Sequence, residues 1–189
     1  MPTGLGYVTS LSTRHARSRP RLIGDNGQVT AIDDALKANL QYAAEFGPPL
    51  EPPRPKLALV LCMDARIDPI RALGLPSGSA HIIRNAGGRV VDAIRSLVIS
   101  QSIIGTEEVA IVHHTQCGMQ TFTDAEIRQK LRDERDAIAD DIAFLAFSDL
   151  EQAIRDDIRI YRQSPLLRQD IPVRGFVYEV ETGRLREIV

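Results

Sequence analysis

Cys62 and Cys117 are the only two cysteines in this 189-residue chain, and each stands just past a short apolar run. Cys62 follows Leu57-Ala58-Leu59-Val60-Leu61 and is itself followed, at alternate positions, by Asp64 and Arg66. Cys117 follows Val109-Ala110-Ile111-Val112 in the phrase His113-His114-Thr115-Gln116-Cys117-Gly118. Thiolate and imidazole are zinc ligands, and a catalytic zinc site keeps three protein donors with a fourth position open to water or substrate. Cys62, His114 and Cys117 supply that number. A His-x-x-Cys spacing alone arises by chance. Joined to a cysteine at another strand's end, with Asp64 and Arg66 beyond it, it becomes much more specific. The plain alternatives are buried apolar thiols and a structural Asp64-Arg66 ion pair.

The elements that must position these residues can be read around them. Five uninterrupted aliphatic residues before Cys62 suit a strand covered on both faces, as in a parallel sheet, where ligands gather at the carboxyl ends of strands. Asp68-Pro69 predicts an N-cap and first helical residue, with a short helix running to Leu73 and stopping at Gly74. Ala80 to Arg84 reads as a second strand ending in Asn85-Ala86-Gly87-Gly88, whose glycines permit tight backbone geometry beside the site. Val91 to Ile104 reads as a buried helix, with Ile94, Leu97, Val98 and Ile104 on one side and Gly105 after it. The third strand covers Val109 to His113. Strand alternation turns His113 away from His114, so His113 is assigned to packing or support. His81, at the start of its strand, is assigned a structural hydrogen bond.

Thr123-x-x-Glu126 and Ser148-x-x-Glu151 both match a capping box and predict helices starting at Thr123 and Ser148, with Pro165 beyond the second. The charged run Arg132 to Asp136 reads as a solvated helix face. Val173 to Val180 is the fourth strand, and Thr182-Gly183 turns the chain into a last short strand at Leu185 to Val189. Upstream, Ile32, Leu36, Leu40, Ala43 and Phe46 recur at helical spacing, with Asp33 and Asp34 in the first turn and Gly47 closing the helix. The proline-rich stretch 48–55 then reads as a stiff connector. Residues 1–27, with four arginines and no acid before Asp25, read as a poorly ordered arm, and 28–189 as a single domain. Alternating strands and helices argue for an α/β fold with a mainly parallel sheet.

A formal charge of −2 with pI ≈ 6.1 gives no electrostatic footprint for nucleic acid. No apolar stretch approaches the roughly 20 residues that span a bilayer. Two thiols beside a histidine make sense as thiolates in a reducing compartment, so a cytoplasmic location is expected.

Cys62-x-Asp64-x-Arg66 and His114-x-x-Cys117-Gly118, with Arg84-Asn85-Ala86-Gly87 between them, resemble the beta-class carbonic anhydrases. The likeness runs from near Ile32 to the strand containing Arg174-Gly175-Phe176-Val177-Tyr178. It implies strand order 2-1-3-4, which sets the strands before Cys62 and Cys117 side by side, and pairing of subunits as a homodimer or dimer-built tetramer. It also implies reversible hydration of carbon dioxide to bicarbonate and a proton by a zinc-bound hydroxide. Asp64 would orient that hydroxide and Arg66 would hold Asp64. In some relatives this aspartate swings onto the metal as a fourth ligand.

Departures from the family are visible. Gln116 stands where relatives often carry an acid, and the absence of tryptophan excludes the tryptophan-containing bicarbonate inhibitory pocket of some members. Relatives with the same ligand set hydrolyse carbonyl sulfide or carbon disulfide, which is the enzymatic alternative. A zinc-bearing sensor or interaction domain is the non-enzymatic one. A closed structural zinc site would need four protein ligands and no Asp64-Arg66 pair, which weighs against it.

Overall fold

In the computed structural model, residues 29–47 and 56–189 are described. They belong to two compact units divided after Pro49, each taken by itself. In the first, helix α1 spans Ala31–Glu45. Thr30 caps it by accepting the Asp33 N–H while the Asp33 carboxylate accepts the Thr30 N–H, a reciprocal box that satisfies two of the free donors of the first turn. The helix ends at an extended Phe46, one residue before Gly47. The arm expected over residues 1–27 and the connector expected over 48–55 lie outside the described residues.

The second unit is built on a five-stranded sheet: β1 Leu57–Cys62, β2 Ala80–Asn85, β3 Glu108–His114, β4 Val173–Glu179 and β5 Arg184–Glu187. Its order is β2-β1-β3-β4-β5. The first four strands are parallel and β5 runs antiparallel to β4, which bears out the expected order with its short C-terminal strand. The unbroken apolar run of β1 is explained by its central place. Ala58 and Val60 pack with Val90 and Leu97 of helix α3 (Val90–Ile99) and Tyr161 of helix α5 (Leu150–Gln163). Leu59 and Leu61 face the opposite side, with Ile67 and with Leu73 of the short helix α2 (Pro69–Leu73). Asp68 caps α2 and Gly74 ends it in the left-handed region, as the sequence predicts.

Two expectations are corrected. The helix predicted through Ile104 is α-helical only to Ile99; Ser100–Ile104 forms a wider π turn, closed by the Gly105 N–H on the Ser100 carbonyl. The wider turn rotates less per residue and falls behind the α-helical phase, so Ile104 is 38% exposed instead of buried with Leu97. The capping box at Ser148 does not form. Asp149 is the N-cap of α5, its carboxylate accepting the Gln152 N–H at 2.9 Å, because an aspartate one residue later competes for the same role. The box at Thr123 does form and starts helix α4, Asp124–Arg135.

Candidate metal centre

The register of β1 on β3, with Leu61 opposite Val112, brings Cys62 to the same end of the sheet as His114. Just past β3, the turn carrying Cys117 folds back, leaving the two sulfurs 4.0 Å apart. The His114 ring is fully buried. Its Nδ1 lies 2.8 Å from the Thr115 carbonyl, an acceptor only, so Nδ1 carries the proton and Nε2 the lone pair. That Nε2 has no hydrogen-bond partner among the described residues. It and the two sulfurs all lie within 4.8 Å of one another. A buried lone pair facing two thiols is costly unless a cation completes it. The donor set, two sulfurs and one imidazole, fits zinc.

The thiols are not equivalent. Cys62 is displaced downward, first by the hydrogen bond from Cys117 and then, against burial, by His114 and the main-chain N–H groups of Asp64 and Gly87. Cys117 is displaced upward by that same partnership and by its own burial. One negative charge therefore forms readily and the second only with help, which a divalent ion between them supplies. Burial opposes protonation of His114, but the neighbouring Cys62 outweighs it and the net displacement is upward.

The glycine turn after β2 supports this floor. At Gly88, with φ of +71°, a Cβ would lie 2.9 Å from the Cys62 nitrogen and 3.0 Å from the Leu61 carbonyl carbon, so only glycine allows the approach. From β2, Arg84 donates to the carbonyls of Cys62 and Asp64, at 3.0 and 2.6 Å, and ties the loop after β1.

Asp64 stands at the mouth, its Oδ2 3.7 Å from His114 Nε2. It is not one of the three clustered donors. Arg66 holds it through two parallel bonds, Nε to Oδ1 at 3.0 Å and Nη2 to Oδ2 at 2.8 Å, and its own N–H adds a third at 2.9 Å. These hold the Asp64 carboxyl well below the usual carboxylate range, the Arg66 side chain being the main cause. Arg66 also reaches Gln116, at its side-chain and main-chain oxygens.

Comparison with known proteins decides the family. The carbonic anhydrase family model matches residues 57–185. The chain belongs to the beta-carbonic anhydrase family. It is 43% identical over 162 residues to Beta-carbonic anhydrase 1 of Mycobacterium tuberculosis, covering 85% of this chain and 99% of that one. The crystal structure of a carbonic anhydrase from Streptococcus mutans superposes with a TM-score of 0.81 at 45% identity, covering 86% and 99% of the two chains. A carbon disulfide hydrolase from Acidianus is 34% identical, covering 82% of this chain and 88% of its own.

In this carbonic anhydrase fold the structure brings together all five residues singled out from sequence: Cys62, Asp64, Arg66, His114 and Cys117. His113 turns to the opposite side of the sheet, as alternation predicts. There its Nε2 lies 3.0 Å from Asp157 Oδ2, the oxygen that also meets Arg89 Nε at 2.9 Å. His81 likewise makes its structural bond, to the Ser100 hydroxyl.

Sequence reading missed Asp157, although a signal exists: it shares a helical stripe with Ala153, Ile154 and Tyr161, all buried. It also missed Glu181, which joins Gln116 from the turn between β4 and β5, because nothing local marks that pairing.

Proposed function

We propose that this chain catalyses the reversible hydration of carbon dioxide, with zinc held by Cys62, His114 and Cys117. One observation carries this reading: the buried, unpartnered Nε2 of His114 faces two thiols, with the clamped Asp64 carboxylate beside it. When bound there, zinc acts as a Lewis acid that lowers the pKa of water from 15.7 to about 7 in the best-known zinc site.

The chain's own residues supply the rest. Asp64, ionised and able only to accept, takes the hydrogen bond of the attacking water's remaining proton and aims its lone pair at the carbon. Arg66 keeps both Asp64 oxygens in place through a planar fork, so the acceptor does not have to be ordered during reaction. The same grip holds Asp64 back from becoming a fourth ligand. The Thr115 carbonyl fixes the His114 tautomer, and Arg84 fixes the loop carrying Asp64.

A homodimer belongs to the same reading. Ile32, Leu36 and Leu40 lie exposed at helical spacing along α1, an apolar stripe of the kind a second copy buries. So does a reducing, cytoplasmic setting, which suits two free thiols in a metal site. Among the described residues no helix is long and apolar enough to cross a membrane.

The second reading, hydrolysis of carbon disulfide or carbonyl sulfide, is favoured by the likeness to the Acidianus protein and uses the same donors. Zinc-loaded protein is to be assayed for carbon dioxide hydration with a pH indicator and for sulfide release from carbon disulfide and carbonyl sulfide. Hydration is the expected activity, at about one zinc per chain. Sulfide release without hydration would favour the second reading, and activity on none from pH ~7 to ~9 would favour a sensor role. Cys117→Ser should lose stoichiometric zinc, and full zinc in that variant by elemental analysis would overturn the ligand set.

A further inference from the structure

Glu181 is exposed in the turn between β4 and β5, yet it is bonded to both residues that follow His114. Its Oε2 accepts the Thr115 hydroxyl at 2.9 Å and its Oε1 accepts the Gln116 amide N–H at 2.5 Å. The Thr115 hydroxyl in turn accepts the Val180 N–H at 3.0 Å. On its other side, the Gln116 amide oxygen accepts Arg66 Nη1 at 3.1 Å, and the Gln116 carbonyl accepts Nη2 at 3.1 Å. Gln116 has φ of +56°, a left-handed conformation that costs a residue with a side chain and concentrates at functional sites.

Donor and acceptor chemistry makes this chain directional. A carboxylate only accepts and a guanidinium only donates, whereas an amide does each on one side. With Glu181 on one side of Gln116 and Arg66 on the other, only one orientation of the amide satisfies both. The flipped amide would set oxygen against carboxylate and NH₂ against guanidinium. Glu181 thereby orients Gln116, Gln116 presents an acceptor to Arg66, and Arg66 spends its remaining donors on both oxygens of Asp64.

We infer that Glu181 is a positioning residue for the reaction, fixing through Gln116 the guanidinium that orients Asp64. Its kinetic consequence rests on the proposed chemistry at Asp64, whereas the bonded chain itself does not. The chain lies at the surface, where a single link is worth little in stability; its effect is on how narrowly the Asp64 carboxylate is held.

The test uses three variants and two readouts: the ¹⁵N–¹H signal of the Arg66 Nε–H in metal-free protein, and kcat and KM of zinc-loaded protein. Glu181→Ala should broaden the Arg66 signal and lower kcat roughly 3- to 10-fold with KM little changed, the size expected for one link of a hydrogen-bonded chain. Gln116→Glu alone faces one carboxylate with another and should do the same. Combining Gln116→Glu with Glu181→Gln exchanges donor and acceptor across the pair, and should restore both the signal and kcat.

A role confined to closing the turn predicts no such restoration. Wild-type signal or wild-type kcat in Glu181→Ala would overturn the inference, as would a double variant no better than Gln116→Glu alone. Wild-type protein inactive on carbon dioxide would instead fail the proposed reaction, because the Arg66 signal is read without turnover.

Discussion

His113 and His114 are adjacent on β3 and both fully buried, yet the two faces of the sheet treat an imidazole in opposite ways. On the His113 side Asp157, buried at 0% exposure, gathers the His113 ring, the Arg89 side chain and the Val90 N–H. Arg89 continues to the Leu145 carbonyl and lies over the Phe147 ring, which also faces His113. Charge there is met by charge within the protein. On the His114 side the ring is tied at Nδ1, while Nε2, without a hydrogen-bond partner among the described residues, converges with two sulfurs that are bonded to each other. One side completes the pairing of its charges within the protein and leaves His113 Nδ1 without a hydrogen-bond partner among the described residues, whereas the other sets its unpartnered nitrogen against two thiols, a donor set that suits an ion. Both rings have one bonded and one unpartnered nitrogen, so burial of a histidine says little about function until what faces its unpartnered nitrogen is known.

Asp157→Asn attacks the completed side and should have the largest effect on stability. An amide cannot neutralise Arg89, and breaking a buried pair by removing one partner typically costs about 3–5 kcal/mol. Chemical denaturation should read this loss, while folded protein still binds about one zinc per chain, since none of the three donors is touched. Zinc lost without loss of stability would break the comparison, making the His113 face part of the metal site.

Asp64→Asn attacks the open side, and its cost should appear in rate instead. The variant keeps size but loses the anionic acceptor and the charged partner of Arg66. Turnover should fall roughly 10- to 100-fold in folded, zinc-replete protein, the usual cost of losing such a partner beside a metal. That corresponds to ~1.4–2.7 kcal/mol in the barrier, less than the Asp157 loss in stability. An unfolded or metal-free variant would reassign Asp64 to holding the fold.

What was legible in the sequence follows the same division. The open side is made of reactive residue types at strand ends, and strand ends are marked by apolar runs, so Cys62, His114 and Cys117 could be placed before any coordinates. Capping at Thr123 and Asp68 was legible because the donors and acceptors lie within one turn of each other. The completed side depends on pairings distant in sequence: Asp157 meets Arg89 and His113 only because α5 packs on the sheet. The π turn at Ser100–Ile104 was hidden for a different reason. An extra residue in a turn leaves the apolar spacing nearly unchanged while moving Ile104 towards solvent. At α5, Ser148 and Asp149 both suit a cap, and local chemistry alone does not choose between them.

The smallest effect is expected at Asp124, where the completed side can be loosened by acid without touching its buried charges. Asp124 opens α4 and accepts the N–H groups of Phe144 and Ala146, at 2.9 and 3.0 Å, pinning the stretch that presents Leu145 to Arg89 and Phe147 to His113. Burial pushes its carboxyl upward, but the N–H bonds from Ala146 and Phe144 outweigh this, and the net displacement is below the usual 3.8. A carboxyl lowered by folding adds stability that is present above its unfolded value and is lost as the pH falls through its folded value. Wild-type protein should therefore exceed Asp124→Asn in stability at pH ~6, and the gap should close towards pH ~3. Metal-free samples of both proteins are the right comparison, because zinc ligands release their ion on protonation and would mask a small term. A gap that stays constant with pH would assign Asp124 to neutral hydrogen bonding alone. A gap that appears in zinc content at pH ~7 would instead show that Phe147, which also packs against Met119 and the two cysteines, carries the loosening to the metal site.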